Sequence, residues 1–358
     1  MLKINYLFLS LFLIALFVLT ISCNTTEPTE ELKPGRRDYV WSVDSVDYDT
    51  LPGRIELYSI WGSSPTDVWG AGFSEDVRNC LWHYDGEKWN RAVWNTPITE
   101  FGNGSKSVGG VWGTAQNDVW AFGGRLFSNP ERVEPFIMHY DGNQWKEVIG
   151  PKDQMPIGFR DIYALRKDHF WISSSDFVSE YKDGIWKKYF IGENYIIQSI
   201  EGIGANVYLI AYPIGIDSLF LMKLNGNKFT IVDNTSLFGQ GKFGHLALTF
   251  MEKKVITADD YGIYEADVSE ATILYNSWST IVSTSSVGFA NSLWLSNKNI
   301  WLVGNYIYPY HFNGTNWKEI DIYLGNNQQS ENVFWGIWGD GNEIFIGDTE
   351  NSVVYHGK

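Results

Sequence analysis

Short apolar runs rich in aromatic and β-branched residues alternate along the chain with polar turns that carry Gly, Asp or Asn, a pattern that predicts strands rather than helices. The clearest stretch is Leu57 to Val93, LYSIWGSSPTDVWGAGFSEDVRNCLWHYDGEKWNRAV. It returns from Val108 as VGGVWGTAQNDVWAFGG and, after an insertion, as FIMHYDGNQWKEV. Such self-similarity marks an array of one small structural unit.

In each unit an apolar strand ends in Trp-Gly or an equivalent: Ile60-Trp61-Gly62, Val111-Trp112-Gly113, Ile162-Tyr163-Ala164, Ile200-Glu201-Gly202, Leu293-Trp294 and Ile337-Trp338-Gly339. A polar turn follows, and a second strand opens at Asp67-Val68-Trp69, Asp118-Val119-Trp120, Phe170-Trp171, Val207-Tyr208, Ile300-Trp301 and Ile344-Phe345. The near-constant step between the two marked positions predicts a hairpin that returns an aromatic to the same face. Asp85-Gly86, Asp141-Gly142, Asp183-Gly184, Asn225-Gly226 and Asn313-Gly314 then read as two-residue turns with positive φ at both residues, each followed by an aromatic that opens a fourth strand. Extrapolating the spacing points to Asp267 for a fifth unit without its glycine and to His356 for the last.

The expectation is an all-β fold, a seven-bladed β-propeller of four-stranded antiparallel blades. The seventh unit reaches Lys358 where its fourth strand is due, whereas Tyr39 to Val46 is an orphan strand. The amino-terminal strand is therefore expected to complete the last blade.

The leader MLKINYLFLSLFLIALFVLTISC has an apolar run ending at a small residue and Cys23, and so predicts a signal peptide over residues 1–22. Residues 23–38 read as a flexible tether and 39–358 as one propeller domain. The Ser22-Cys23 junction resembles the lipobox of bacterial lipoproteins, although Thr20 stands where Leu is usual. That resemblance implies a lipidated Cys23 and an extracytoplasmic protein at the outer membrane or cell surface of a Gram-negative bacterium. An ordinary signal peptide or an uncleaved anchor is the alternative. The acidic residues Glu27, Glu30 and Glu31 resemble the stretch that follows the lipid site in surface-exported lipoproteins of Bacteroidota, and also suit any solvated linker. The repeat S-P-x-D-V-W-x-x-G with H-Y-D-G-x-x-W resembles that of secreted bacterial β-propellers and regulator-type propellers. It is more distantly similar to the Asp-box of sialidase-like propellers, from which it departs because Asp85 directly precedes Gly86.

Composition narrows the function. A formal net charge of −15 would repel a phosphate backbone, so nucleic acid is not an expected partner. The chain has only two cysteines, and removal of the leader leaves Cys80 without an intramolecular partner once Cys23 is lipidated. His83, His139 and His311 recur at one repeat position on different units, which suits a hydrogen-bonded strand residue better than a shared metal. Asp67 and Asp118 suit local acceptors of backbone N–H bonds. Asp44, Asp47 and Asp49 lack a calcium-loop pattern, and neither a metal nor a cofactor is expected. The many tryptophans occupy repeat positions and suit blade packing better than sugar stacking.

Function is therefore sought where the repeat is interrupted. Insertions fall between second and third strands, at 72–79, 123–135 and 212–218, and in links between units, which open on the same face. The candidate ligand-binding residues on that face are Phe73, Glu75, Asp76, Arg78, Phe101, Arg125, Phe127, Glu131, Arg132 and Tyr212, with no catalytic residue assigned. The reading is a non-catalytic binding module for a protein or a glycan. The rival is a glycan-active, sialidase-like hydrolase using Arg78, Arg125 and Arg132 with Glu75 or Glu131, which requires those groups to converge. Deleting residues 24–50 is expected to leave an open sheet edge and lower the melting temperature by more than a few degrees; an unchanged melt would rule out closure by the amino-terminal strand.

Overall fold

The computed structural model describes residues 35–46, 55–74, 81–92, 105–128, 130–237, 241–283, 289–296, 299–305, 308–322 and 332–358. Cys23, Asp47, Asp49, Glu75, Asp76, Arg78, Cys80 and Phe101 lie outside the described residues. Among the described residues every regular element is a strand.

The chain enters on β1 (Trp41–Ser45) and then runs through successive up-and-down meanders. The first is β2 (Ile55–Ser64), β3 (Asp67–Ser74), β4 (Leu81–Tyr84) and β5 (Trp89–Arg91). The second is β6 (Ser105–Ala115), β7 (Asp118–Ser128), β8 (Glu131–Tyr140) and β9 (Trp145–Glu147), joined to the first by the pair Gly72–Val108 in one eight-stranded sheet. Then come β10 (Asp161–Arg166) to β13 (Ile185–Phe190), by way of β11 (His169–Ser173) and β12 (Phe177–Lys182). Next are β14 (Tyr195–Ile203), β15 (Asn206–Pro213), β16 (Leu219–Asn225) and β17 (Lys228–Thr235). The fifth meander is β18 (Ala247–Met251), β19 (Lys254–Asp259) and β20 (Gly262–Ser269), whose outer edge is covered in two pieces by β21 (Thr272–Ile273) and β22 (Ser279–Ser283). It is followed by β23 (Phe289–Ser296), β24 (Asn299–Asn305), β25 (Tyr310–Phe312) and β26 (Trp317–Glu319). Finally β27 (Phe334–Gly339), β28 (Ile344–Asp348) and β29 (Val353–Gly357) pair with β1, in the order β1-β29-β28-β27.

The register of that last pairing runs from Trp41 opposite Gly357 to Ser45 opposite Val353. Beyond it, Val40 and Lys358 exchange both backbone hydrogen bonds, at 2.9 and 3.0 Å. His356, buried, bonds Asp44 at 3.0 Å and Glu343 at 2.7 Å, tying the two ends of the chain by side chains as well. The tether expected over 23–38 is shorter at its end: Gly35 donates its N–H to Asn313, and Arg36 and Arg37 bond carbonyl oxygens of Lys358 and His311.

The first strands β2, β6, β10, β14, β18, β23 and β27 pack side by side in cyclic order around an axis, so the domain is an all-β propeller. Their packing explains the Trp-Gly signature. The Trp338 ring lies on Gly62, the Trp61 ring on Gly113 and the Tyr163 ring on Gly202, each bridging from one meander to the next. Glycine is required because any Cβ would occupy the space of the ring. Where the third meander has Ala164 instead, it and Trp112 pack against the same core cluster.

Outward from this tier, the second-strand aromatics of several meanders stack on a third-strand histidine, whereas Tyr208 of the fourth lies under the Lys223 ammonium instead. Ring centroids are 4.2 Å apart for Trp69 and His83, 4.4 Å for Trp120 and His139, and 4.2 Å for Trp301 and His311. The histidines bond Asp67 at 2.6 Å, Asp118 at 2.7 Å and Asn299 at 3.0 Å. Among the described residues Asp67 and Asp118 therefore hold a ring nitrogen and the hydroxyl of Ser63 or Thr114, and not the local backbone N–H groups that sequence suggests.

The turn expectation is corrected at most sites. Asn225 does not take positive φ although Gly226 does, and Asp183 and Gly184 both do; at Asp85, Asp141 and Asn313 only the following glycine does. There the side-chain oxygen accepts the N–H groups two and three residues on, which holds a four-residue turn without placing the Asp or Asn itself in the left-handed region. The fifth unit turns without glycine, placing Glu270 and Ala271 at φ 49° and 57°.

Gly113→Ala would bring a Cβ to 2.6 Å from the Asp118 carbonyl oxygen and 2.8 Å from the Trp61 ring, whereas a Cβ at Gly109 meets no atom within 4 Å. Denaturant unfolding is expected to show Gly113→Ala losing about 1–3 kcal/mol relative to Gly109→Ala; equal stabilities would remove the ring-on-glycine contact from the account of the fold.

Candidate functional site

The cyclic packing of first strands leaves a cavity of about 620 Å³ on the axis. Its outer tier comes from the starts of those strands, the end on which the second-to-third-strand connections also open. Tyr58 and Trp335 meet there edge to face, with centroids 6.0 Å apart. Phe159 lies against Gly110, where a side chain would displace it. Arg160, exposed, donates from its guanidinium to the side-chain oxygen of Gln198.

The inner tier is the ring-on-glycine tier, and it is lopsided. Trp61, Trp112 and Trp338 line one side of the cavity. On the other side the aromatic position is taken by Glu201 in β14, opposite Tyr208 as Trp61 is opposite Trp69. In β18 Thr249 stands opposite Ile256, followed by Phe250 where the glycine is expected. Polar groups gather on this side: Asp161, Gln198, Ser199, Glu201 and Thr249.

The two carboxyls differ in their support. Asp161 accepts the Ser199 hydroxyl at 2.6 Å and the Ile200 N–H at 2.9 Å through one oxygen, and the Ile162 N–H at 2.8 Å through the other. Burial nevertheless pushes its pKa up. Glu201 accepts only the adjacent Gly202 N–H, at 2.9 Å, among the described residues. Burial first, and the charge of Asp161 second, push it up to about 8, so at neutral pH it is mostly a protonated acid that can donate a hydrogen bond.

Of the residues singled out from the insertions, none of those among the described residues lines this cavity. Phe73 is exposed near the end of β3. Tyr212 is half-buried and packs with the core between the fourth and fifth meanders. The segment 123–135 is not a loop: β7 and β8 stay in register from Val119–Tyr140 out to Ser128–Glu131, making a long hairpin arm. Arg125 is buried against Phe136 and bonds Glu147 at 2.8 Å. Arg132 stacks 3.8 Å over Phe127 and bonds Glu134 at 3.0 Å, and Glu131 is exposed at the tip. Among the described residues the arginines required by a hydrolase thus do not meet at the axis. The cavity groups Arg160, Asp161, Gln198 and Glu201 were passed over in sequence. Glu201 carried a signal, as the one charged residue at a position that is aromatic in most of the units.

No protein-family model and no curated protein sequence matches the chain. Solved structures do resemble it. YCF48, determined bound to D1 peptide, is 14% identical over 88% of this chain and 99% of its own, with a TM-score of 0.56. The WD40 β-propeller domain of Doa1 is 13% identical over 89% and 97%, with a TM-score of 0.55. The extracellular domain of BT4673 from B. thetaiotaomicron is 14% identical with a TM-score of 0.58, and this chain, matched over 88% of its length, covers 40% of it. At these identities the likeness establishes the propeller fold and no more.

The Glu201 shift has a definite pH signature. The unfolded carboxyl ionises near its ordinary 4.5 and the folded one near 8, so stability falls as pH rises from about 4.5 through 8. Glu201→Gln cannot ionise. Its melting temperature is expected to exceed that of the wild type increasingly above pH 5, with the gap levelling off past pH 8; a gap independent of pH would contradict the burial described.

Proposed function

We propose that this chain is a non-catalytic docking module, a seven-bladed propeller anchored outside the cytoplasm by a lipid on Cys23, which binds a protein partner on the face carrying the hairpin arm. Counting the eight-stranded sheet as two blades and β1 with the last supports the number seven. The leader and the Ser22-Cys23 junction support the anchor, and the likeness to an extracellular domain agrees with the location. Placement at an outer membrane or cell surface follows from the same reading.

The observation that carries the docking role is the arm formed by β7 and β8. It holds Leu126 and Val133 as a cross-strand pair, 45% and 47% exposed, on a rigid ladder well beyond the partner strand β9. Val133 flanks Gly124 together with Ile157, itself exposed, so the apolar surface is continuous across two segments. Exposed apolar pairs on a stiff support are costly in water and suit a protein contact more than a glycan. YCF48 with its bound peptide illustrates that a propeller of this shape can serve such a purpose.

The test is in two parts. Metabolic labelling with radioactive palmitate is expected to mark the wild type and not Cys23→Ala. Crosslinking in the source cells is expected to give a discrete adduct that Leu126→Ser/Val133→Ser loses while its melting temperature stays within about 2 °C of the wild type. Labelling of Cys23→Ala would remove the anchor, and an undiminished adduct would remove the arm.

A further inference from the structure

The axial cavity is separate from the hairpin arm and contains a departure that the fold does not explain. The inner tier is built for aromatic rings, as Trp61, Trp112, Tyr163 and Trp338 show, yet β14 places the carboxyl of Glu201 there. Among the described residues no Lys, Arg or His forms an ion pair with it. The nearby charged and titratable groups are Asp161 on β10, whose like charge disfavours ionisation of Glu201, and Tyr163, whose hydroxyl donates to the Gly204 carbonyl. Arg160 is engaged with Gln198 at the outer tier and stands closer to Asp161. A half-buried carboxyl in a cavity wall is normally matched by a cation or several donors, and a position that breaks the repeat without a structural gain is where function is found.

We infer that the axial cavity binds an organic ammonium group, with the Glu201 carboxylate as its counter-ion and the rings of Trp61, Trp112 and Trp338 lining the space around it. Aromatic faces attract ammonium groups and tolerate their alkyl substituents, and a desolvated site strengthens the attraction. The volume lies within the range of small-ligand sites. A carboxylate ligand would face both Asp161 and Glu201. A hard metal ion needs a shell of six or more oxygens, and no group of three acidic, His or Cys side chains gathers among the described residues. The ammonium group could belong to a free amine or to a lysine side chain of a partner, which offer the same chemistry to the cavity.

Two probes separate these sources: benzyltrimethylammonium and the blocked tripeptide acetyl-Ala-Lys-Ala-amide, each titrated against the full chain by tryptophan fluorescence and calorimetry. At least one is expected to saturate below about 50 mM at pH 8.5, and the tighter one names the source. Because the cation must bind the ionised acid, affinity is expected to rise about tenfold or more between pH 6.5 and 8.5, with a proton released on binding at pH 7 that calorimetry in two buffers counts. Glu201→Gln is expected to bind about tenfold more weakly with no such rise. The proton count needs no variant, so it decides the matter even if Glu201→Gln folds poorly. Failure of both probes to bind at pH 8.5, binding without proton release, or a Glu201→Gln variant as tight as the wild type would each overturn the inference.

Discussion

The contact on which the rest of the structure depends is the seating of an aromatic ring from one first strand on a glycine of the next. Trp338 on Gly62, Trp61 on Gly113 and Tyr163 on Gly202 set the spacing and angle between neighbouring sheets by steric fit, because nothing smaller fills the gap and nothing larger than hydrogen fits beneath the ring. A ring of that size removes on the order of 150–250 Å² from water. Histidine stacks farther out complete several of the wedges: Trp69 on His83 and Trp120 on His139 fill the broader part, and an Asp, Asp67 or Asp118, fixes the imidazole in orientation. The repeat motif is thus a description of a wedge, with one end of it touching the axis.

Because the tier is so regular, its exceptions define the cavity. Replacing the ring by Glu201 and Thr249 on adjacent strands, with Phe250 in the place of glycine, opens space on one side and lines it with polar groups, of which Asp161 accepts from Ser199 and the backbone of Ile162 and Ile200 and Glu201 from the backbone of Gly202. The cavity consequently has an aromatic wall and a polar wall. That division follows from which units keep the rule and which do not, and no loop is needed to create it.

This also explains how much could be read from sequence. The strands, their order and the pairing of Tyr39–Val46 with the carboxyl-terminal unit were legible because side-chain alternation and turn chemistry are local, and because β1 matches a missing strand in kind. The turns were half legible: Asp-Gly announces a turn, but whether Asp takes positive φ, as Asp183 does, or caps the turn with its carboxylate, as Asp85 does, depends on how many residues separate the strands. The arm at 123–135 was mistaken for a loop because an insertion in both strands at once preserves alternation but breaks the spacing. The axial groups were missed because Asp161, with Arg160 just before it, and Gln198 and Glu201 belong to two neighbouring first strands, and their meeting is a property of the closed ring and not of any stretch of sequence.

The pairing of β1 with β29 has a kinetic side. It joins residues more than 300 positions apart, Trp41 to Gly357, while nearly every other strand pairs with its immediate successor. Local meanders can form as soon as their residues are available, but loop closure over the whole domain must wait for the last strand. Until then the end sheet has an open edge and the aromatic wedge of Trp338 lacks its glycine seat, so the growing chain is a series of sticky partial rings. Once closed, no single sheet can swing away without first parting that clasp, and the same joint that delays folding makes the finished ring slow to open.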